Sequence, residues 1–351
     1  MNENKEMGSS RNISVDLLKI CSMLMVVALH VTSHGVKNAQ IIPFEAPYWF
    51  VTIVNSFSLV AVNCFVLISG YFLSGGKVKY GRIIPLWVQV CTYSVGVYLL
   101  LCLLPGMGVT FSIRGLLEYF MPLMTNQYWF FKYYVLIVLL APFLNDYIAS
   151  IDKARYEKML LMCMILFSII PSVNVFGDTF GAASGYSLIW FAVLYLIAGY
   201  LRKYPVSKGP WLRIYMCCSV VTILIRLCGS VPCVPLTWFV NLQANYNSPL
   251  VVAASISLFL AALHGKASYG TFADAVIWKS SSLSFAVYLL HDHGAVSSLL
   301  WNNWVCLEKY THSGGTFIGR AICAWGLIFI CGILTELVRD TCNRTILKLF
   351  R

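Results

Sequence analysis

The sequence contains 351 residues, of which 59% are hydrophobic and only 11% are charged. Soluble domains average roughly 45–50% apolar and about 25% charged residues, so this balance excludes a soluble enzyme, a disordered chain and a coiled coil. The formal net charge is +11. In a membrane protein such an excess of Lys and Arg usually belongs to cytoplasmic loops, and no nucleic-acid partner is expected.

Ten apolar segments are predicted to cross a membrane as α-helices, because they approach the roughly 20 residues that a spanning helix needs and lack the alternation of barrel strands. In chain order they cover residues 13–34, 50–73, 83–104, 128–149, 157–173, 186–202, 212–230, 248–265, 280–300 and 317–339. The amphipathic stretch 111–120 is expected to form an interfacial helix. The predicted fold is therefore an all-α polytopic membrane protein, a bundle of about ten transmembrane helices.

The distribution of Lys and Arg predicts the orientation of this bundle. With the N-terminus in the cytoplasm, 18 of the 25 basic residues fall on the inner side and only Lys37, Arg114 and Lys309 on the outer side. This asymmetry predicts that both termini are cytoplasmic. We expect cytoplasmic tails at 1–12 and 340–351 around one transmembrane domain, 13–339, with no soluble domain between its helices.

The first predicted helix carries ionisable residues on one stripe. Lys19 and His30 are 11 residues apart, which at 100° per residue brings them to within about 20° of the same face. Asp16 lies one turn before Lys19, and His34 lies one turn after His30. Ionisable side chains inside a membrane are costly and usually functional. The alternative is that Lys19 snorkels to the inner surface and His30 is a hydrogen-bonded core residue.

Five basic or imidazole side chains are predicted in the outer half of the membrane: His30, Lys132, Arg226, His291 and Arg320. They predict a polar cavity that opens to the outside and binds a hydroxylated or anionic compound. The alternative is that each one snorkels to outer headgroups. Asp292 and His293 follow His291 at 100° and 200° around the helix, so the three are not expected to face one site.

The inner rim of the bundle has its own basic cluster. Lys77, Lys79 and Arg82 follow the second predicted helix and could bind the phosphates of a cytoplasmic ligand, although the positive-inside rule alone also places basic residues there. Ser69, beside Gly70, allows close helix packing or a polar contact.

Metal and thiol chemistry are not predicted. His30 and His34 have a helical i, i+4 spacing that suits a metal, but a zinc site needs further ligands and the sequence shows no obvious one. The 13 cysteines have no metal-binding spacing and are interpreted as small buried apolar residues.

Six segments resemble motifs of the acyltransferase 3 family. A basic residue, ten intervening residues and a histidine, here Lys19 and His30, resemble the signature of its first helix. The others follow in the same order and are CFVLISGYFL, KYGRIIPLW, YWFFKYYVLIVLLAPFL, FAVLYLIAGYLRK and SFAVYLLH. Together the six run from about residue 11 to residue 340.

This resemblance implies a bacterial inner-membrane O-acyltransferase that moves an acetyl group from acetyl-CoA to hydroxyls of surface polysaccharides or other envelope acceptors. It also implies that Lys19 and His30 are essential. Some members carry a glutamate in the fourth-helix motif, where this chain has Lys132 and Tyr133, and this leaves the acceptor open. Other members carry an added extracytoplasmic or racemase domain. This sequence shows neither, so a stand-alone transferase is expected.

The resulting scheme assigns roles by depth in the membrane. His30 is the general base or a transient acyl carrier, and Lys19, paired with Asp16, is a charge deeper along the same conduit. Arg82, Lys79 and Lys77 meet the CoA phosphates, and Ser69 donates a hydrogen bond to the thioester carbonyl. The substrate-binding candidates on the acceptor side are His291, Lys132, Arg226, Trp129 and Tyr288. Trp129 also suits the interfacial aromatic belt.

Two other functions remain open from the sequence. A transporter or flippase of a small polar solute or lipid-linked sugar also explains a polar bundle without a soluble domain, and it requires no acetyl-CoA. A sensor or assembly scaffold predicts that substitutions on the polar stripe have no effect. The sequence leaves open the acceptor, the acyl chain length and the oligomeric state, and its expected partners are membrane lipids and a hydroxylated acceptor.

Overall fold

The computed structural model describes residues 12–37, 39–76, 80–125, 127–173, 180–230 and 245–349, and every regular element among them is helical. The α-helices are α1 Ile13–Ser33, α2 Ala46–Ser58, α3 Ala61–Leu73, α4 Ile83–Leu103, α5 Ile113–Phe120, α6 Trp129–Ser150, α7 Lys153–Met164, α8 Ile170–Val173, α9 Leu188–Lys203, α10 Trp211–Gly229, α11 Pro249–His264, α12 Thr271–Leu283, α13 Phe285–His291, α14 Gly294–Leu299 and α15 Gly314–Leu349. Two π-helical segments, Ile165–Ile169 and Leu300–Val305, follow α7 and α14.

The all-α, multi-pass prediction is confirmed. Seven helical segments of the described chain are long and apolar enough to cross a membrane: 13–36, 46–73, 83–103, 129–150, 153–173, 211–229 and 314–345. The other three predicted spans also coincide with helices, but α9 and α11 have only 16 residues each. A count of ten crossings and cytoplasmic termini therefore stay predictions. A helix, α5, is present where the interfacial helix was expected, and its place at a membrane surface stays a prediction. The Ser112 side chain caps it, since its Oγ accepts a hydrogen bond from the Gly115 N–H at 2.9 Å.

The ninth predicted span, 280–300, is not one continuous helix. Its last regular turn before the break ends at His291, and Asp292 has the non-helical angles φ −93° and ψ 3°. The chain restarts as α14 after His293, whose Nδ1 accepts a hydrogen bond from the Ala295 N–H at 3.2 Å and caps the new helix. Asp, His and Gly are all weaker helix formers than alanine, so the sequence Asp292-His293-Gly294 favours a break here.

Helix α1 lies at the centre of the bundle. It packs against α2, α3, α11, α12, α13 and α15. The indole N–H of Trp325, on α15, donates to the Leu24 carbonyl of α1 at 2.7 Å. Because α1 contacts elements from both ends of the chain, residues on its surface can meet side chains far away in sequence.

A buried amide ties together three helices beside α1. The Asn63 side chain, on α3, donates to the Tyr246 carbonyl at 2.7 Å and to the Ser255 Oγ at 3.2 Å. Its Oδ1 accepts from the indole N–H of Trp190 at 3.2 Å. Asn63 is fully buried, so these bonds satisfy polar atoms that have no access to water.

We expect Asn63→Ala to lower the free energy of unfolding by about 2 kcal/mol, because the indole N–H of Trp190 then loses its partner inside the bundle. Denaturation of the purified protein by a harsh detergent, followed by Trp fluorescence, measures this loss. Asn302→Ala is the control, since Asn302 is exposed and the hydrogen bond described for its side chain is a long one, to the Ser298 Oγ at 3.5 Å. Equal stability of the two variants would contradict the structural role of Asn63.

Candidate active site

Two histidines from distant parts of the chain meet at the C-terminal end of α1. The Nδ1 of His30, in the last turn of α1, lies 2.8 Å from the Nε2 of His291, the last residue of α13. The other ring nitrogen of His291, Nδ1, bonds to the carbonyl oxygen of Val287 one turn earlier. The sequence analysis placed both histidines in the same half of the membrane, and the structure places them in direct contact.

These bonds fix the tautomers of the neutral pair. A carbonyl oxygen only accepts, so the Nδ1 of His291 carries the proton and its Nε2 is the acceptor. The Nδ1 of His30 therefore donates to His291, and the Nε2 of His30 keeps its lone pair. A histidine held in this way has the same arrangement as the orienting partner and base of a catalytic triad.

Asp292 also approaches His30. Its Oδ1 lies 4.0 Å from the His30 Nδ1, and its side chain is 19% exposed. His291 and Asp292 both approach His30, whereas the His293 Nε2 bonds to the Ser94 carbonyl at 2.9 Å, so the three consecutive side chains do not all face one site. The chain leaves the helical path at Asp292, which turns the carboxylate towards α1.

His34 adds a fourth polar side chain at this end of α1, after His30, His291 and Asp292. Its ring centroid lies 5.0 Å from that of His30, and its ring stacks on Trp301 at 5.9 Å. One ligand atom from each of His30, His34 and Asp292 lies within 4.8 Å of the other two. Asp292 therefore brings a third potential ligand atom to the two histidines, which the sequence did not reveal.

An apolar pocket of about 40 Å³ borders His30 on one side. Trp129 and Tyr288, both predicted on the acceptor side, line it together with Phe65 and Phe130. Tyr288 is only 5% exposed. The Asp292 carboxylate and the Phe130 backbone lie close enough to interact with the Tyr288 hydroxyl, although neither makes a hydrogen bond of ordinary geometry with it in the described part of the chain. A buried hydroxyl beside His30 that makes no well-formed hydrogen bond is suited to a polar group of a ligand.

A polar cavity of about 330 Å³ lies on the other side of this cluster. Its lining includes His34, Lys37, Asp292, Ser297, Trp301, Asn302 and Glu308. An aromatic ring among hydroxyl, amide and carboxylate groups is the chemistry of a site for hydroxylated compounds. Two carboxylates against one lysine make the cavity less suitable for an anion than the sequence analysis expected.

Lys19 and Asp16 form a separate cluster near the N-terminal end of α1. The Lys19 Nζ lies 3.3 Å from the Asp16 Oδ1, so the expected pairing is present. The Asp16 Oδ1 also accepts a hydrogen bond from the Ser281 Oγ at 2.9 Å. Eleven residues at 1.5 Å rise separate Lys19 from His30 by roughly 16 Å along the helix. The two side chains therefore lie at different depths, in the order that the sequence predicted, and are not in contact.

The other predicted site residues lie apart from the histidine pair. Lys132 contacts the ring of Tyr133, and Arg226 lies at the end of α10, and neither lines the two cavities beside His30. Ser69 does not line them either, whereas Val62 and Phe65 of the same helix border the apolar pocket. Lys77, Lys79 and the side chain of Arg82 lie outside the described residues.

Arg320 lies on a third cavity. Its guanidinium donates to the Trp304 carbonyl at 2.9 Å and lies over the Tyr310 ring at 4.5 Å. With His291 it borders an apolar cavity of about 460 Å³ between α13 and α15. His291 therefore connects this apolar cavity with His30.

The sequence analysis did not assign Asp292 or Glu308 to the site. Trp301 was among the aromatic residues near the outer ends of the helices that suit either sugar stacking or the interfacial aromatic belt. The short run Asp292-His293-Gly294 was the available signal, because a helix break after His291 redirects the carboxylate. Glu308 had no local signal, since it belongs to the 3₁₀ segment that follows the break.

The helices and the buried histidine pair define a multi-pass membrane protein with a polar site inside its bundle. A family model described as an acyltransferase domain, that of acyltransferase 3, matches residues 12–336, which is nearly the whole chain. The chain belongs to this family, which implies a membrane acyltransferase. No curated protein matches the chain, and no solved structure does.

Proposed function

We propose that the protein transfers an acetyl group from cytoplasmic acetyl-CoA to a hydroxyl of a cell-surface glycan or related envelope acceptor, in the inner membrane of a bacterium. The observation that carries this proposal is the hydrogen-bonded pair of His30 and His291 between an apolar pocket and a polar cavity. The apolar pocket is small, which suits an acetyl group better than a long acyl chain. The polar cavity has the lining that a neutral sugar requires.

In this proposal His30 acts as the general base. Its Nε2 takes the proton of the acceptor hydroxyl while the hydroxyl oxygen attacks the thioester carbonyl carbon. The carbon–sulfur bond breaks, and the CoA thiolate leaves and takes up a proton. His291 is a positioning residue, because its acceptor nitrogen holds the His30 proton on Nδ1 and keeps Nε2 free.

The Tyr288 hydroxyl is the proposed donor to the carbonyl oxygen, where negative charge develops in the transition state. Tyr288 is buried and lines the same pocket as His30, and its hydroxyl makes no hydrogen bond of ordinary geometry with the described residues. Ser69 was the earlier candidate for this role, but it does not line the pocket. Tyr288 therefore replaces it.

On the donor side, Lys19 with Arg82, Lys79 and Lys77 forms the proposed path for acetyl-CoA. Cations at the inner mouth attract the phosphates of CoA. The ion pair of Lys19 and Asp16 lies at the end of α1 from which the thioester would arrive, about 16 Å from His30.

The test is acetyl-CoA turnover by the purified protein in lipid nanodiscs. Labelled acetyl-CoA is followed into free CoA and into added bacterial envelope glycans. We expect label in the glycan fraction and equimolar CoA release. Movement of a polar solute across liposomes, with no acetyl-CoA consumption by folded protein over a range of acceptors, would favour the transporter or flippase instead.

Helix α15 sets the position of His291 through one glycine. A Cβ added at Gly332 meets the Val287 Cα at 2.7 Å and its Cβ at 3.0 Å. Since Val287 also supplies the carbonyl that binds His291, we expect Gly332→Ala to displace α13 and lower kcat about tenfold, the equivalent of one weakened hydrogen bond. The measurement is steady-state acetyl transfer.

Gly326→Ala is the matched control for this prediction. Gly326 lies on the same helix, and a Cβ there meets nothing within 4 Å. Alanine also raises helix propensity, so this variant should keep full activity and at least equal stability. Equal activities of the two variants would show that the close approach at Gly332 does not position His291.

A further inference from the structure

Two nitrogen donors and one oxygen donor converge where α1 ends and the chain breaks after α13. His30 and His34 are four residues apart on one helix face, and Asp292 approaches from the break. Their ligand atoms lie within 4.8 Å of one another. Ligand atoms at 2.0–2.1 Å from a tetrahedral ion lie about 3.3 Å from one another. Side-chain rotations that move each ligand atom by about 1 Å therefore complete a three-ligand site.

The surroundings allow an ion to reach this cluster. His34 is exposed, and both His34 and Asp292 line the polar cavity of about 330 Å³. Stacking on Trp301 restricts the His34 ring. Three protein ligands leave a fourth position that faces the cavity, where water or a hydroxyl can bind.

The donor set also selects the kind of ion. Imidazole nitrogens suit zinc, copper, cobalt and nickel, whereas magnesium and calcium prefer all-oxygen sites. We propose that His30, His34 and Asp292 form a reversible site for a divalent transition-metal ion such as Zn²⁺, and that an ion bound there stops acyl transfer. The inhibition rests on the proposed function, and the binding does not.

Binding and base catalysis exclude one another for a chemical reason. Neutral imidazole has a single lone pair. An ion on the Nε2 of His30 occupies the lone pair that takes the acceptor proton. An ion on Nδ1 breaks the bond to His291 and leaves the proton on Nε2. His30 loses its function as a base in both cases.

The first measurement is titration of the purified protein in nanodiscs with Co²⁺, which replaces Zn²⁺ and reports its ligands by absorption. The chain has many free cysteines, and cobalt thiolates give an intense near-ultraviolet band that nitrogen and oxygen ligands lack. We expect visible bands without that thiolate band. His34→Ala and Asp292→Asn should each weaken Co²⁺ binding at least tenfold.

His264→Ala is the control, because His264 lines a different cavity together with Asn12 and Lys208, and it should leave the Co²⁺ affinity unchanged. A thiolate band, or equal affinity in wild type and His34→Ala, would overturn the site.

The second measurement is acetyl transfer in the presence of Zn²⁺. We expect Zn²⁺ to inhibit the wild type, and the half-inhibiting concentration to rise at least tenfold in His34→Ala. Metal binding at the cluster without loss of turnover would overturn the inhibition. A protein that binds Co²⁺ as expected but consumes no acetyl-CoA would contradict the proposed function and leave the metal site standing.

Discussion

His30→Ala is expected to lower acetyl transfer by about 10²–10⁴-fold, the usual contribution of a positioned general base. The reason is geometric. Both ring nitrogens of His291 are engaged, one by Val287 and the other by His30. Of this pair, His30 is therefore the histidine that has a ring nitrogen, Nε2, available to accept a proton. The measurement is kcat for labelled acetyl transfer in nanodiscs, at matched protein levels.

Two further variants separate catalysis from folding. His264→Ala removes a histidine on a different cavity and should retain activity. His291→Gln should retain more activity than His291→Ala, because the glutamine amide oxygen can still accept the His30 Nδ1 proton. Full activity in well-expressed His30→Ala would exclude His30 as base and as acyl carrier.

Kinetics of the wild-type protein distinguish the two possible roles of His30, general base and acyl carrier. An acyl carrier predicts ping-pong kinetics and a labelled acetyl-histidine in the absence of acceptor. A general base predicts that both substrates must be bound before CoA is released.

Tyr288→Phe has the second largest expected effect, a fall in kcat of about 10²-fold, in the range found when one donor to a developing oxyanion is removed. KM for acetyl-CoA should change little, because the hydrogen bond strengthens only as charge develops. Removal of the hydroxyl keeps the ring that lines the pocket. The measurement is the separation of kcat from KM in initial-rate kinetics.

Tyr195→Phe is the matched control. Tyr195 is fully buried, and its hydroxyl donates to the Asn145 Oδ1 at 2.7 Å, but it does not line the pocket beside His30. It therefore reports the cost of removing a buried hydroxyl alone. Ser69→Ala tests the other candidate donor, and a larger loss in Ser69→Ala than in Tyr288→Phe would return the role to Ser69.

The sequence predicted those parts of the site that follow from helical periodicity. Lys19 and His30 share a face because α1 is a regular helix, and their spacing alone gives the depth of each. His291 was found as an ionisable residue inside a predicted span, and Tyr288 belongs to a segment that resembles a family motif. Both precede the helix break, so their positions also followed from a regular helix.

Features that depend on tertiary structure were not predictable in this way. Asp292 reaches His30 only because α13 ends one residue earlier, and a sequence reading extended that helix to residue 300. The network of Asn63, Tyr246 and Trp190 joins segments more than 100 residues apart. Periodicity describes one helix face, whereas these contacts depend on which faces meet.

The central position of α1 has a consequence for biogenesis. His30 belongs to α1, whereas its partner His291 lies on α13, where Val287 packs closely against Gly332 of α15. Because α15 follows α1 in the chain by nearly 300 residues, this packing is completed only after α15 has been synthesised and inserted. A nascent chain that has exposed α1 but not yet released α15 therefore carries His30 before the helix that packs behind its partner is in place.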